Sequence, residues 1–106
     1  MQSKLARIEK QIRRIKQKLM RIDEMRPGAL TVQHHTIPTN TKKYPFFQIS
    51  YTRDMKSHSN YIRKEFVKDV KKQIENYKRF KKLVKQWIDL AIAHSKLKID
   101  ITSKNM

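Results

Sequence analysis

The sequence predicts a mainly α protein: an N-terminal heptad helix, a linker, a β-hairpin and one long C-terminal amphipathic helix. Three observations carry that expectation. Leucine and isoleucine recur at alternating spacings of three and four from Leu5 to Ile22. Aromatic and polar residues alternate through FFQISYT, from Phe46 to Thr52. A helical period then takes over from about Glu65. The expected segments are 1–26 (helix), 27–45 (linker), 46–63 (hairpin), 64–98 (long basic helix) and 99–106 (mobile tail).

The first helix is read from Leu5, Ile8, Ile12, Ile15, Leu19 and Ile22. This is a heptad seam with two core positions per seven residues. Ser3 is available as a cap, and Pro27-Gly28 stops the helix near Met25. A stripe two residues wide is not buried by one helix alone. The helix therefore either folds back on the second helix of its own chain or pairs across a dimer. The six seam residues are the candidate interface.

The stretch from Pro27 to Pro45 holds all three prolines, the only glycine and several Thr and Asn, which predicts an extended linker. In the next segment Phe47, Ile49 and Tyr51 fall on one side and Phe46, Gln48, Ser50 and Thr52 on the other, as in a half-buried strand. RDMKSHS is polar enough to turn, with Asp54 the best turn former, and NYIRK returns as a second strand. An isolated hairpin is only marginally stable. Phe47, Ile49 and Tyr51 are therefore expected to cover the apolar face of the second helix.

That helix places Val67, Val70, Ile74, Tyr77, Phe80, Val84, Trp87, Ile88 and Ala91 in one broad apolar sector. Lys64, Lys68, Lys71, Lys72, Lys78, Arg79 and Lys82 fall in the opposite sector. The pattern runs to about Leu97, and KIDITSKNM is read as a short strand or a frayed end.

Charge supplies the functional expectation. Twenty-six Lys and Arg face nine Asp and Glu, for a formal charge of +17 over 106 residues. A small domain so charged repels itself, and the usual partners for such an excess are nucleic acid, an anionic membrane or an acidic protein. An ordinary solvated helix face mixes both signs. Here Arg7, Lys10, Arg13, Arg14, Lys16, Lys18 and Arg21 repeat the cationic bias on the first helix. Arg13, Arg14, Lys43, Arg53, Lys56, Arg63, Lys64, Lys68, Lys71, Lys72, Lys78, Arg79 and Lys82 are the candidate phosphate contacts. Phe46, Phe47, Tyr51 and Tyr61 are candidates to stack on unpaired bases, and Gln48, His58 and Asn60 are further outward groups.

Several chemistries find no support. There is no cysteine, so disulfides, thiolate zinc sites and thiol nucleophiles are excluded. His34 and His35 lack a third ligand at suitable spacing, so no metal or other cofactor is expected. One glycine cannot build a phosphate-cradling loop. Tyr77 and Trp87 read as core residues rather than reactive ones. The chain reads as a non-enzyme. No apolar run approaches the roughly 20 residues that span a bilayer, and no secretory signal opens the chain. A cytoplasmic protein without membrane insertion is the expectation. A membrane-surface role for the first helix is disfavoured, because its narrow aliphatic seam lacks Trp and Phe.

MRPGAL at Met25–Leu30, YPFFQISYT at Tyr44–Thr52 and IENYKRFKKL at Ile74–Leu83 support a resemblance. With YIRKE before the last of these, the chain resembles an uncharacterised family of short basic bacterial and archaeal proteins. Members of that family are sometimes encoded near transposases, and the likeness covers roughly three quarters of the chain. Two departures stand out. The relatives' cysteine-containing knuckle is replaced by TVQHHTIPTNTKK, and Tyr44-Pro45 stands where they carry glycine. The resemblance implies a mobile-element setting.

Taken together these readings give a small nucleic-acid-binding protein, with DNA ahead of RNA, forming a homodimer and accessory to a mobile element. The competing expectation is a coiled-coil module that docks on an acidic partner such as a transposase, its charge steering association and its seam supplying affinity.

Overall fold

A computed structural model describes residues 2–36 and 43–104. The element order is α1 (Gln2–Met20), β1 (Ala29–Thr36), β2 (Lys43–Arg53), β3 (Lys56–Ile62), a short 3₁₀ turn (Lys64–Phe66) and α2 (Val67–Lys104). Among the described residues two α-helices and a three-stranded antiparallel sheet make up most of the structure. They divide into two compact units: residues 24–78, and residues 1–23 together with 79–106.

The sheet unit is built around its central strand. The order is β1-β2-β3, and β2 pairs antiparallel with both neighbours. Ile49 stands opposite Leu30 on one side and Asn60 on the other. Paired residues share a face of the sheet, so Leu30, Phe47, Ile49 and Ile62 lie on one side. Ile49 is fully buried there, against Val70 and Ile74 of α2, with Leu30 and Ile62 at the edge of the cluster. The face expected to cover the helix is thus the one that does so.

The expected linker is corrected at both ends, since residues 43–45 already belong to β2. Residues 29–36 form β1, because Leu30 supplies an inward apolar group and the edge of β2 offers unpaired backbone groups for it to satisfy. Residues 37–42 of that stretch lie outside the described residues. Between β2 and β3 the turn is a tight two-residue one, Asp54-Met55, with φ of 53° and 65°. Both values are those of a type I′ turn, whose twist matches the flanking strands.

α1 stops earlier than expected. Its last turn tightens, with Arg21 N–H donating to Lys18 O at 3.2 Å and Ile22 N–H to Leu19 O at 3.1 Å. Asp23 and Glu24 follow, and carboxylates are unfavourable at the negative end of a helix dipole. In the sheet unit, Glu24 ties the chain to α2 instead. Its carboxylate accepts from Gln73 Nε2 at 3.0 Å and its carbonyl from Asn76 Nδ2 at 3.0 Å. Arg26 N–H adds a bond to Gln73 O at 3.2 Å.

The other unit is an antiparallel helical hairpin of α1 and the second half of α2. Glu9 meets His94 at 3.1 Å, and the Lys16 ammonium lies 5.1 Å from the centre of the Trp87 ring. Advancing along α1 therefore retreats along α2. The seam Leu5, Ile8, Ile12, Leu19 and Ile22 is half-buried and Ile15 is buried. Of the two arrangements left open by the sequence, this is the intrachain one.

The covering positions on α2 are Leu83, Trp87, Leu90, His94, Leu97 and Ile101, all buried or half-buried. Their spacings alternate four and three, a heptad seam in its own right. The apolar sector read from the sequence is corrected here, since it included Ile88 and Ala91, which are exposed. The tail is corrected too. Residues 99–104 are helical, because Ile101 extends the buried seam by one more position, and Thr102 Oγ1 bonds back to Lys98 O at 2.9 Å.

Candidate nucleic-acid interface

Exposure of the cations follows from the helical period. On α1 the steps of 100° per residue put Arg7, Lys10, Arg13 and Arg14 opposite the buried seam, with Lys18 at its side and Arg21 just past the end of the helix. All six are exposed, and no Asp or Glu interrupts the run from Lys10 to Ile22. Lys16 departs from this face and sits over Trp87. Of the predicted contacts, Arg13 and Arg14 on α1 and Arg79 and Lys82 on α2 belong to this helical hairpin, and all four are exposed. Arg14 also borders a shallow groove beside Ile15, Lys18, Gln86, Asp89 and Leu90.

The sheet unit carries Arg53, Lys56, Arg63, Lys64, Lys68, Lys71, Lys72 and Lys78, all exposed. Lys68, Lys71, Lys72 and Lys78 fall within roughly 120° of the α2 circumference, Lys68 and Lys72 on the side away from Val70 and Ile74 and Lys71 and Lys78 flanking Ile74. Glu75 stands among them as the one acid. Lys71 and Lys78 line an open groove with Gly28, Leu30, Ile74 and Glu75. Arg53 and Lys56 flank the β2–β3 turn as a directly opposed pair. Two like charges face to face in a strand pair are unfavourable without an anion between them. The Lys43 side chain lies outside the described residues.

Little of this charge is neutralised internally. Leaving aside Lys81, which has a partner, no described Lys or Arg is paired with a carboxylate of another described residue; the Glu9 carboxylate instead meets the His94 ring at 3.1 Å. Among the Lys and Arg whose side chains are described, Arg26 alone is half-buried, stacked over Tyr51 at 5.6 Å.

The hairpin aromatics divide by face. Phe47 and Tyr51 are half-buried on the helix side, where Tyr51 stacks on His58 with centroids 5.1 Å apart. His58 is therefore occupied by a ring partner. Phe46 and Tyr61 lie on the other face, edge to face at 5.6 Å, and Tyr61 is 78% exposed. Gln48, Thr31, Ser50 and Ser59 share that outer face, with the Ser50 and Ser59 hydroxyls 3.4 Å apart. Sequence reasoning named all four aromatics. It missed the Arg26–Tyr51 stack, whose only signal was a cation next to a Pro-Gly bend.

Among the described residues no three His, Asp or Glu side chains converge on a point that could hold a metal ion. No helix among the described residues is long and apolar enough to cross a membrane. Comparison with protein-family models, curated proteins and solved structures finds no match.

Proposed function

We propose that this chain is a small, non-enzymatic nucleic-acid-binding protein of the cytoplasm that contacts phosphates through lysine and arginine faces. One observation carries the reading: the described cations are sorted onto exposed faces, away from the apolar seams, and almost none is paired with a carboxylate. A polyanion neutralises such a surface and releases condensed counterions, a gain that a merely solvated face does not have. DNA is the first polyanion to test, and Tyr61 on the outer sheet face gives single strands a stacking surface. An accessory role for a mobile element is part of this proposal and comes from the family resemblance alone.

Docking on an acidic protein partner by way of the α1 seam has less support, because α2 covers that seam within the chain. The basic faces alone leave such a partner no apolar contact of that kind.

Fluorescence anisotropy with a labelled duplex, a single strand and an RNA of equal length tests the reading. Micromolar binding is expected at about 50 mM salt, falling by about 10³–10⁵ at 200 mM if six to ten phosphates are neutralised. Absence of binding to all three nucleic acids at low salt and tens of micromolar protein overturns it.

A further inference from the structure

Three isoleucines in the helical-hairpin half of α2 are left in water: Ile88 is 54% exposed, Ile92 50% and Ile99 60%. With Ser95 they are spaced by four, three and four, so they trace a second heptad stripe on the same helix. Its centre lies roughly 160° around the helix from the seam that α1 covers. The stripe therefore contributes nothing to holding α1. A solvated helix face carries charged residues at such positions, and contiguous exposed apolar side chains mark an interaction surface.

The flanks indicate the partner. Asp89 and Lys96 border one edge of the stripe, while Ala91 and Lys98 border the other. Asp89 sits beside the groove with Arg14 and Lys18 but is not ion-paired with either.

We propose that this stripe binds a second copy of the chain, the two α2 helices running antiparallel about a two-fold axis. Antiparallel heptad packing that sets Ile88 against Ile99 of the second copy also sets Ile92 against its Ser95. The small serine leaves room for the branched isoleucine. In the same register Asp89 faces Lys96 of the second copy, and symmetry repeats the pair. A parallel pairing instead brings Asp89 opposite Val84 and Lys96 opposite Ala91, with no ion pair. The stripe is thus self-complementary in shape and charge in one orientation only. Dimerisation moves from the α1 seam, which the chain covers itself, to a face of α2.

Sedimentation equilibrium without nucleic acid tests this, so the result is independent of the polyanion reading. At about 100 µM protein and about 0.15 M salt the chain is expected to be dimeric. Ile92→Glu with Ile99→Glu is expected to raise the dissociation constant more than about 100-fold. Helicity by circular dichroism should hold, since both side chains are exposed. Lys96→Asp sets a second carboxylate against Asp89 of the second copy, and it is expected to weaken the dimer although it lowers the net charge. Adding Asp89→Lys to it should restore association. A monomeric wild type, a dimer that survives the double glutamate variant, or a double exchange no tighter than Lys96→Asp alone overturns the proposal.

Discussion

Gly28 and Met55 both occupy the positive-φ region, at 143° and 65°, and the consequences of changing them are opposite. A Cβ at Gly28 would sit 2.6 Å from Ile49 Cγ1 and 2.8 Å from its Cδ1. Ile49 is the fully buried centre of the sheet unit, so it has no space to retreat into. Gly28→Ala therefore combines a disfavoured backbone with an overpacked core and should cost about 3 kcal/mol in urea unfolding. Met55 projects into solvent, 99% exposed, and its backbone is held in a left-handed state by the turn alone. Met55→Gly removes that steric cost and loses no contact. It should stabilise the protein by about 1 kcal/mol in the same assay. Asp54, the other turn residue at positive φ, is of a type that tolerates this region, which is why one of the two positions was legible in the sequence and the second was not.

At the scale of elements, α2 has 38 residues and two different sets of buried positions. In the sheet unit these are Val70 and Ile74, with Val67 and Tyr77 half-buried, all read correctly from the sequence. In the helical hairpin the buried seam includes Leu83, a residue the single apolar sector left out. The signal was present, since Leu83, Trp87, Leu90, Leu97 and Ile101 keep heptad spacing. His94 in the middle of that seam, and the second stripe through Ile88, made one continuous sector look sufficient. Leu83 is 6% exposed, so Leu83→Ala should cost about 2–5 kcal/mol in chemical denaturation, a loss the sector reading does not foresee. The same limit explains β1. Its Thr and His read as linker because an edge strand needs only a few inward apolar groups, and the register that makes it a strand is set by β2 rather than by its own residues. The α1 seam was legible because nothing competes with it: six aliphatic residues carry the whole apolar face of the helix.

At the scale of the whole molecule, a charge of +17 is a statement about partners and salt rather than about fold. If the cations meet phosphates, each contact removed must lower the steepness with which affinity falls in salt. For duplex DNA the decline of log affinity with log salt is about 0.9 per phosphate neutralised. Lys68, Lys71 and Lys72 are exposed on one face of α2 and unpaired, so changing all three to Gln should leave the fold intact. It should also reduce the slope by about 3. Changing Lys4, Lys85 and Lys98 to Gln removes the same net charge from exposed positions outside the predicted set. That control separates contact from bulk charge. If both triple variants lower the slope equally, the whole surface attracts polyanions without a defined face. If neither does, the lysines of α2 are solvated only, and the sorting of charge serves solubility rather than recognition. A loss confined to the first variant places phosphates against the outer face of α2, the result expected here.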